Sequence, residues 1–113
     1  MVDEIEKLHR SGAPGYSRVP LEKIYFARGV VQFWYWDLDA AIGNLRRVTG
    51  KAADLDLNTG VYAWLRLGQA CDLKGRRAEA VAAYRGAVEL APDSDAAREA
   101  RRYLSAPFRR EKR

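Results

Sequence analysis

The stretch from Val61 to Pro92 reads VYAWLRLGQACDLKGRRAEAVAAYRGAVELAP. Apolar residues recur at helical spacing on both sides of a Lys74-Gly75-Arg76 break, so it is predicted as two helices joined by a tight turn. Gly75 can take a positive φ just past the first helix, where a side chain would be strained. Pro92 cannot continue a helix interior, so the second helix ends near Leu90.

The spacing Trp64-x2-Leu67-Gly68, followed by Ala80-x3-Tyr84, Ala87 and Pro92, resembles the tetratricopeptide repeat, a two-helix unit of about 34 residues. Tyr84 is a conservative stand-in for the family's Phe, and Cys71 departs from the pattern where the family usually has Tyr. Gly68 and Ala80 are small enough for two helices to approach closely, with Trp64, Leu67 and Tyr84 filling the space between them. The alternative, a chance amphipathic hairpin, would not place seven residues in the same order and spacing. The resemblance implies an all-α superhelix of stacked antiparallel hairpins whose broad role is protein–protein interaction.

Going outward, Tyr25, Gly29 and Ala41 align with Trp64, Gly68 and Ala80, and Leu45 and Val48 fall opposite Tyr84 and Ala87. Residues 21–53 thus resemble a degenerate earlier copy, with Arg28, Gln32 and Ala53 as departures. Its period is longer than the family's, so the connector Lys51–Asn58 carries an insertion, which loops absorb at little cost. Pro20 suits a first helical position. Asp37 is an expected N-cap for DLDAAIGNLRRV, which should stop near Gly50, and Asp93 for SDAAREARRYLS. The expected organisation is one domain: an N-terminal helix and connector (1–19), a degenerate repeat (20–53), an inserted loop (54–60), a repeat (61–92), a capping helix (93–105) and a disordered basic tail (106–113). In the cap, Arg98, Glu99, Arg101 and Arg102 give the polar outer surface that stacked repeats require. Tyr103 and Leu104 would pack back on the array. Two repeats fall short of the roughly three usually needed for independent stability, so the N-terminal helix or another chain must supply cover.

At 113 residues, with 48% hydrophobic and 31% charged side chains, the chain has the composition of one folded domain. No run approaches the roughly 18 apolar residues of a membrane span. The start, Met-Val-Asp-Glu-Ile-Glu, is too polar for a secretory signal, and cytoplasm is the default compartment. One cysteine excludes an internal disulfide framework. With one His and one Cys, metal-ligand spacing is absent, as are phosphate-binding glycine loops. His9 reads as a surface side chain and Cys71 as a small hydrophobe on the packing face. Asp37 and Asp39 read as capping, Asp54 and Asp56 as loop solvation. No catalytic residue, metal or cofactor is expected, and the chain is not expected to be an enzyme on its own.

FWYW, Phe33 to Trp36, is the most unusual local feature. Phe26, Val30, Phe33 and Trp34 form a second apolar stripe on the helix that begins at Leu21. By the resemblance, the first helix of each repeat lines the groove that receives a partner. That puts Phe26, Val30, Phe33 and Trp34 toward the groove, with Lys23 also at a groove position and Tyr62, Leu65, Arg66, Gln69 and Asp72 as counterparts from the second repeat. Either Val2, Ile5, Leu8, Tyr16 and Val19 fold over the stripe, or part of it stays exposed as an interface. Arg66 and Gln69, beside Tyr62, could hold a carboxylate or peptide backbone. However, Val30 and Phe33 stand where clamping an acidic C-terminus needs polar groups. The expected partner is therefore a hydrophobic protein or peptide, or a second copy of the chain, rather than an acidic tail. The rival is nucleic acid or another acidic surface at Arg101, Arg102, Arg109, Arg110, Lys112 and Arg113. It is disfavoured because the first half of the chain is neutral, leaving no continuous basic stripe.

Overall fold

The computed structural model describes residues 21–110. The N-terminal helix and connector expected over 1–19, the cover drawn from them, and Lys112 and Arg113 lie outside the described residues.

Among the described residues five α-helices follow one another: α1 Leu21–Trp34, α2 Leu38–Thr49, α3 Leu57–Leu73, α4 Arg77–Leu90 and α5 Asp95–Ser105, with a short 3-10 turn at Ala52–Asp54 between α2 and α3. Each helix packs on the next, and α1 on α3 and α3 on α5. The chain thus forms two layers: α1, α3 and α5 in one, α2 and α4 in the other. This is an all-α stack of antiparallel hairpins, with no strand among the described residues.

The two hairpins share one register. A Cβ added to Gly68 would sit 2.4 Å from the Tyr84 ring, and one added to Gly29 would sit 2.9 Å from Leu45 Cγ. Glycine is therefore required on α1 and α3 where a large residue of the facing helix lies flat against the backbone. Tyr84, Leu45, Ala41 and Ala80 are fully buried at these crossings. Trp64 is only partly buried; its indole lies over Gly86, where a Cβ would come within 2.6 Å.

The turns correspond as well. Gly75 takes φ 76°, and the Gly75 and Arg76 N–H groups donate to Asp72 and Cys71 carbonyls, closing α3. Trp36 takes φ 65°, and the Trp36 and Asp37 N–H groups donate to Phe33 and Gln32 carbonyls, closing α1 in the same way. A tryptophan thus occupies a left-handed position that glycine occupies in the other hairpin, at a cost of about 1–2 kcal/mol.

Four local expectations are corrected. Asp37 sits at the N-cap of α2 but its side chain makes no capping bond. The last helix is capped by Ser94, not Asp93: Ser94 Oγ accepts from the Ala97 N–H at 3.0 Å and donates to the Ala91 carbonyl. Ser94 wins because it lies three residues before Ala97, the reach of a capping side chain. Segment 54–60 is not all loop: Leu57 to Gly60 are already the first turn of α3. Asp56, expected to serve only loop solvation, is the N-cap of that helix and accepts from the Thr59 N–H at 3.0 Å.

Candidate functional site: an aromatic face on α1 and α3, closed by the C-terminal segment

On the described part of the aromatic stripe, the side chains differ sharply in exposure. Phe33 is fully buried, Phe26 and Val30 are partly buried, and Trp34 is 51% exposed. Val31 and Tyr35 are exposed next to Trp34. From α3, the Arg66 guanidinium lies 5.7 Å from the Trp34 ring centroid and 5.9 Å from that of Tyr62. Arg66 Nη1 donates to Gln69 Oε1 at 2.8 Å. Trp34, Tyr62 and Arg66 therefore do come together.

Four residues expected in the groove are buried or paired in internal contacts. Leu65 is fully buried and Gln69 nearly so, because α3 is covered on both sides by its neighbours. Lys23 ion-pairs with Asp56 at 3.1 Å, at the start of α3. Asp72 leaves 1% of its side chain exposed. Its carboxylate accepts from Arg77 Nη1 at 3.0 Å, from the Tyr84 hydroxyl at 2.7 Å and from the Phe108 N–H at 3.0 Å. Burial, then the bond to Asp72, pushes the Tyr84 hydroxyl well above its ordinary range, so it remains a donor. Arg77 Nη2 in turn donates to the carbonyls of Tyr103 and Leu104, tying down the end of α5.

The tail was expected to be disordered from residue 106, yet residues 106–110 have a defined path across this face. Phe108 packs against Phe33 and Tyr103, with ring centroids 6.1 and 5.2 Å apart. The Arg110 guanidinium lies 4.4, 4.7 and 4.5 Å from the ring centroids of Phe33, Trp34 and Trp36. Its Nη2 donates to the Phe33 carbonyl at 2.5 Å, in the last turn of α1, where the helix dipole favours a cation. Three cation–π contacts, each about 0.5–2 kcal/mol, hold this side chain where Nε and Nη1 are buried with no hydrogen-bond partner among the described residues. Burial first, then Arg66, draws its ionisation below the ordinary guanidinium value. Read as a disordered tail, the basic run gave no sign of this contact; the alternation of Phe108 and Arg110 in a chain with an aromatic-rich helix was the available signal.

Elsewhere the chemistry is sparse. Cys71 is buried, and burial raises its thiol above the usual range. Among the described residues no three His, Cys, Asp or Glu side chains are grouped to hold a metal ion, and no helix is long and apolar enough to cross a membrane.

The fold and this face define a helical-hairpin repeat protein. Within it, residues 61–94 match the family model of the tetratricopeptide repeat, so α3, its turn and α4 form a repeat of that type. Comparison with curated proteins and with solved structures gave no match. Repeats of this family are generally non-catalytic protein–protein interaction modules.

Proposed function

We propose that this protein is a non-catalytic scaffold or adaptor that binds a protein or peptide, or a second copy of itself, through the aromatic face of α1 and α3. The observation that supports the reading is the cluster at the end of α1: Trp34, Val31 and Tyr35 are exposed, although hairpin packing requires none of them. Exposed aromatic side chains beside an arginine are common interface anchors. An apolar occupant fits this surface better than an acidic tail. Of the two polar groups that could hold a carboxylate, Gln69 is buried and accepts from Arg66, which itself lies beside the Trp34 and Tyr62 rings. Binding of nucleic acid through the basic C-terminal segment is the weaker reading, because Arg110 is turned onto the rings.

The test compares the wild type with Trp34→Ala/Tyr35→Ala and with Phe33→Ala, using light scattering over a concentration series and affinity capture from the source cells. The exposed pair should cost no more than the Trp34 contact with Arg110, about 0.5–2 kcal/mol, and lose self-association or the captured partner. Phe33→Ala should lose about 3–5 kcal/mol of stability. A wild type that stays monomeric and captures nothing removes the proposal. So does a double variant that assembles and captures as the wild type does.

A further inference from the structure

Resting on that reading, we propose that Phe33, Trp34 and Trp36 form an arginine-recognition cage. Arg110 of the chain's own tail occupies it in cis, and it is open in trans to an extended peptide with an aromatic residue two positions before an arginine.

The cage has the parts a planar cation requires. Three ring faces lie 4.4 to 4.7 Å from the guanidinium carbon, and a helix-terminal carbonyl accepts one N–H. No carboxylate pairs with Arg110 among the described residues, so recognition rests on π faces and the end of the α1 dipole. Phe108 and Arg110 are two apart in a segment without helical structure. In an extended chain that spacing turns both side chains to one side. The Phe108 ring enters between Phe33 and Tyr103, while its N–H is fixed by the buried carboxylate of Asp72. The tail is thus bound as a peptide ligand is, by one main-chain bond and two alternate side chains.

Two features make this resident ligand displaceable. Nε and Nη1 of Arg110 are buried without acceptors, which an incoming peptide with its own carbonyl or carboxylate nearby can supply. Arg66 shares the Trp34 ring with Arg110, so like charges oppose each other across it. Trp36 adds a third observation: it keeps a bulky ring at φ 65°, a position suited to glycine, and that ring is a wall of the cage.

The test uses the full chain and a fluorescent peptide of sequence APFRREKR, the tail itself. Phe108→Ala/Arg110→Ala empties the site. This variant should bind the peptide at least tenfold more tightly than the wild type, whose tail competes at high effective concentration. Replacing the second peptide arginine by alanine should weaken binding at least tenfold, and by lysine several-fold, because lysine lacks the planar fork. Equal binding to wild type and variant overturns the proposal, as does an alanine peptide that binds like its parent. Should the double variant lose its helical circular dichroism, Trp36→Gly removes one wall and suits the turn. It should speed hydrogen exchange at the Phe108 amide at least fivefold; unchanged exchange overturns the proposal. Loss of peptide binding with partner capture intact rejects the cage and leaves the interaction module standing, so the two failures are distinguishable.

Discussion

At the scale of single residues, the contacts around two glycines decide opposite outcomes for one substitution. Gly68 faces a fully buried Tyr84 ring that would lie 2.4 Å from an added Cβ. The ring is held in place by its hydroxyl bond to Asp72. Gly68→Ala should therefore cost about 1–3 kcal/mol by overpacking. Gly43, on the exposed side of α2, has nothing within 4 Å of an added Cβ. There alanine only removes backbone entropy from the unfolded chain, and Gly43→Ala should gain about 0.5–1 kcal/mol. Urea titrations of both variants check the pair, and equal effects would contradict the crossing described.

At the scale of elements, two aspartates act in different surroundings. Asp56 caps α3; the Thr59 N–H, then the Thr59 hydroxyl and Lys23, lower its carboxyl from the ordinary 3.8 to about 2. A depressed folded value means that the cap stabilises the fold above about pH 4. The contribution fades as pH falls through 2, where the carboxylate is protonated. Asp56→Ala should flatten the pH dependence of stability between pH 4 and 2, followed by urea titration at each pH. Asp72 instead gathers Arg77, Tyr84 and the Phe108 N–H around a carboxylate with 1% exposure. Asp72→Ala should cost about 3 kcal/mol, since removing it leaves a partly buried guanidinium and a buried hydroxyl without their acceptor. The same variant should accelerate exchange of the Phe108 amide, which distinguishes release of the tail from loss of packing alone.

At the scale of the whole molecule, neighbouring helices make nearly all the contacts of a stack, so its parts can unfold separately unless something joins the ends. Here the tail does so: Arg110 reaches the Phe33 carbonyl across 77 positions of sequence, and Phe108 bridges Tyr103 and Phe33. The described chain should therefore unfold in one transition, with coincident urea midpoints from far-UV circular dichroism and from tryptophan emission. Separate midpoints would show that the first hairpin melts independently of the rest.

Much of the stack was legible in the sequence because it rests on local rules. Gly75 and Pro92 end helices through their own backbone limits. Gly68, Ala80 and Tyr84 mark a close crossing because small and large residues must alternate where two helices touch. The same spacing brought out the first hairpin from Gly29, Ala41 and Leu45. The helix caps were less legible, since Asp93 and Ser94 are equally good candidates until the turn after Pro92 orients one of them. The functional face was legible only as an aromatic stripe. Which of its members are buried depends on neighbours far along the chain: Phe33 is covered by Phe108, while Trp34 remains half open. Asp72 has helical spacing suited to a groove, but Arg77, Tyr84 and the tail draw its charge inward. The sequence by itself determined the hairpins, their crossing and their turns, because these follow from residues within one or two helices. Only the tertiary structure decided that Arg110 leaves solvent for three aromatic rings, because that balance of desolvation against cation–π attraction exists only once the end of α1 and the segment after α5 are brought together.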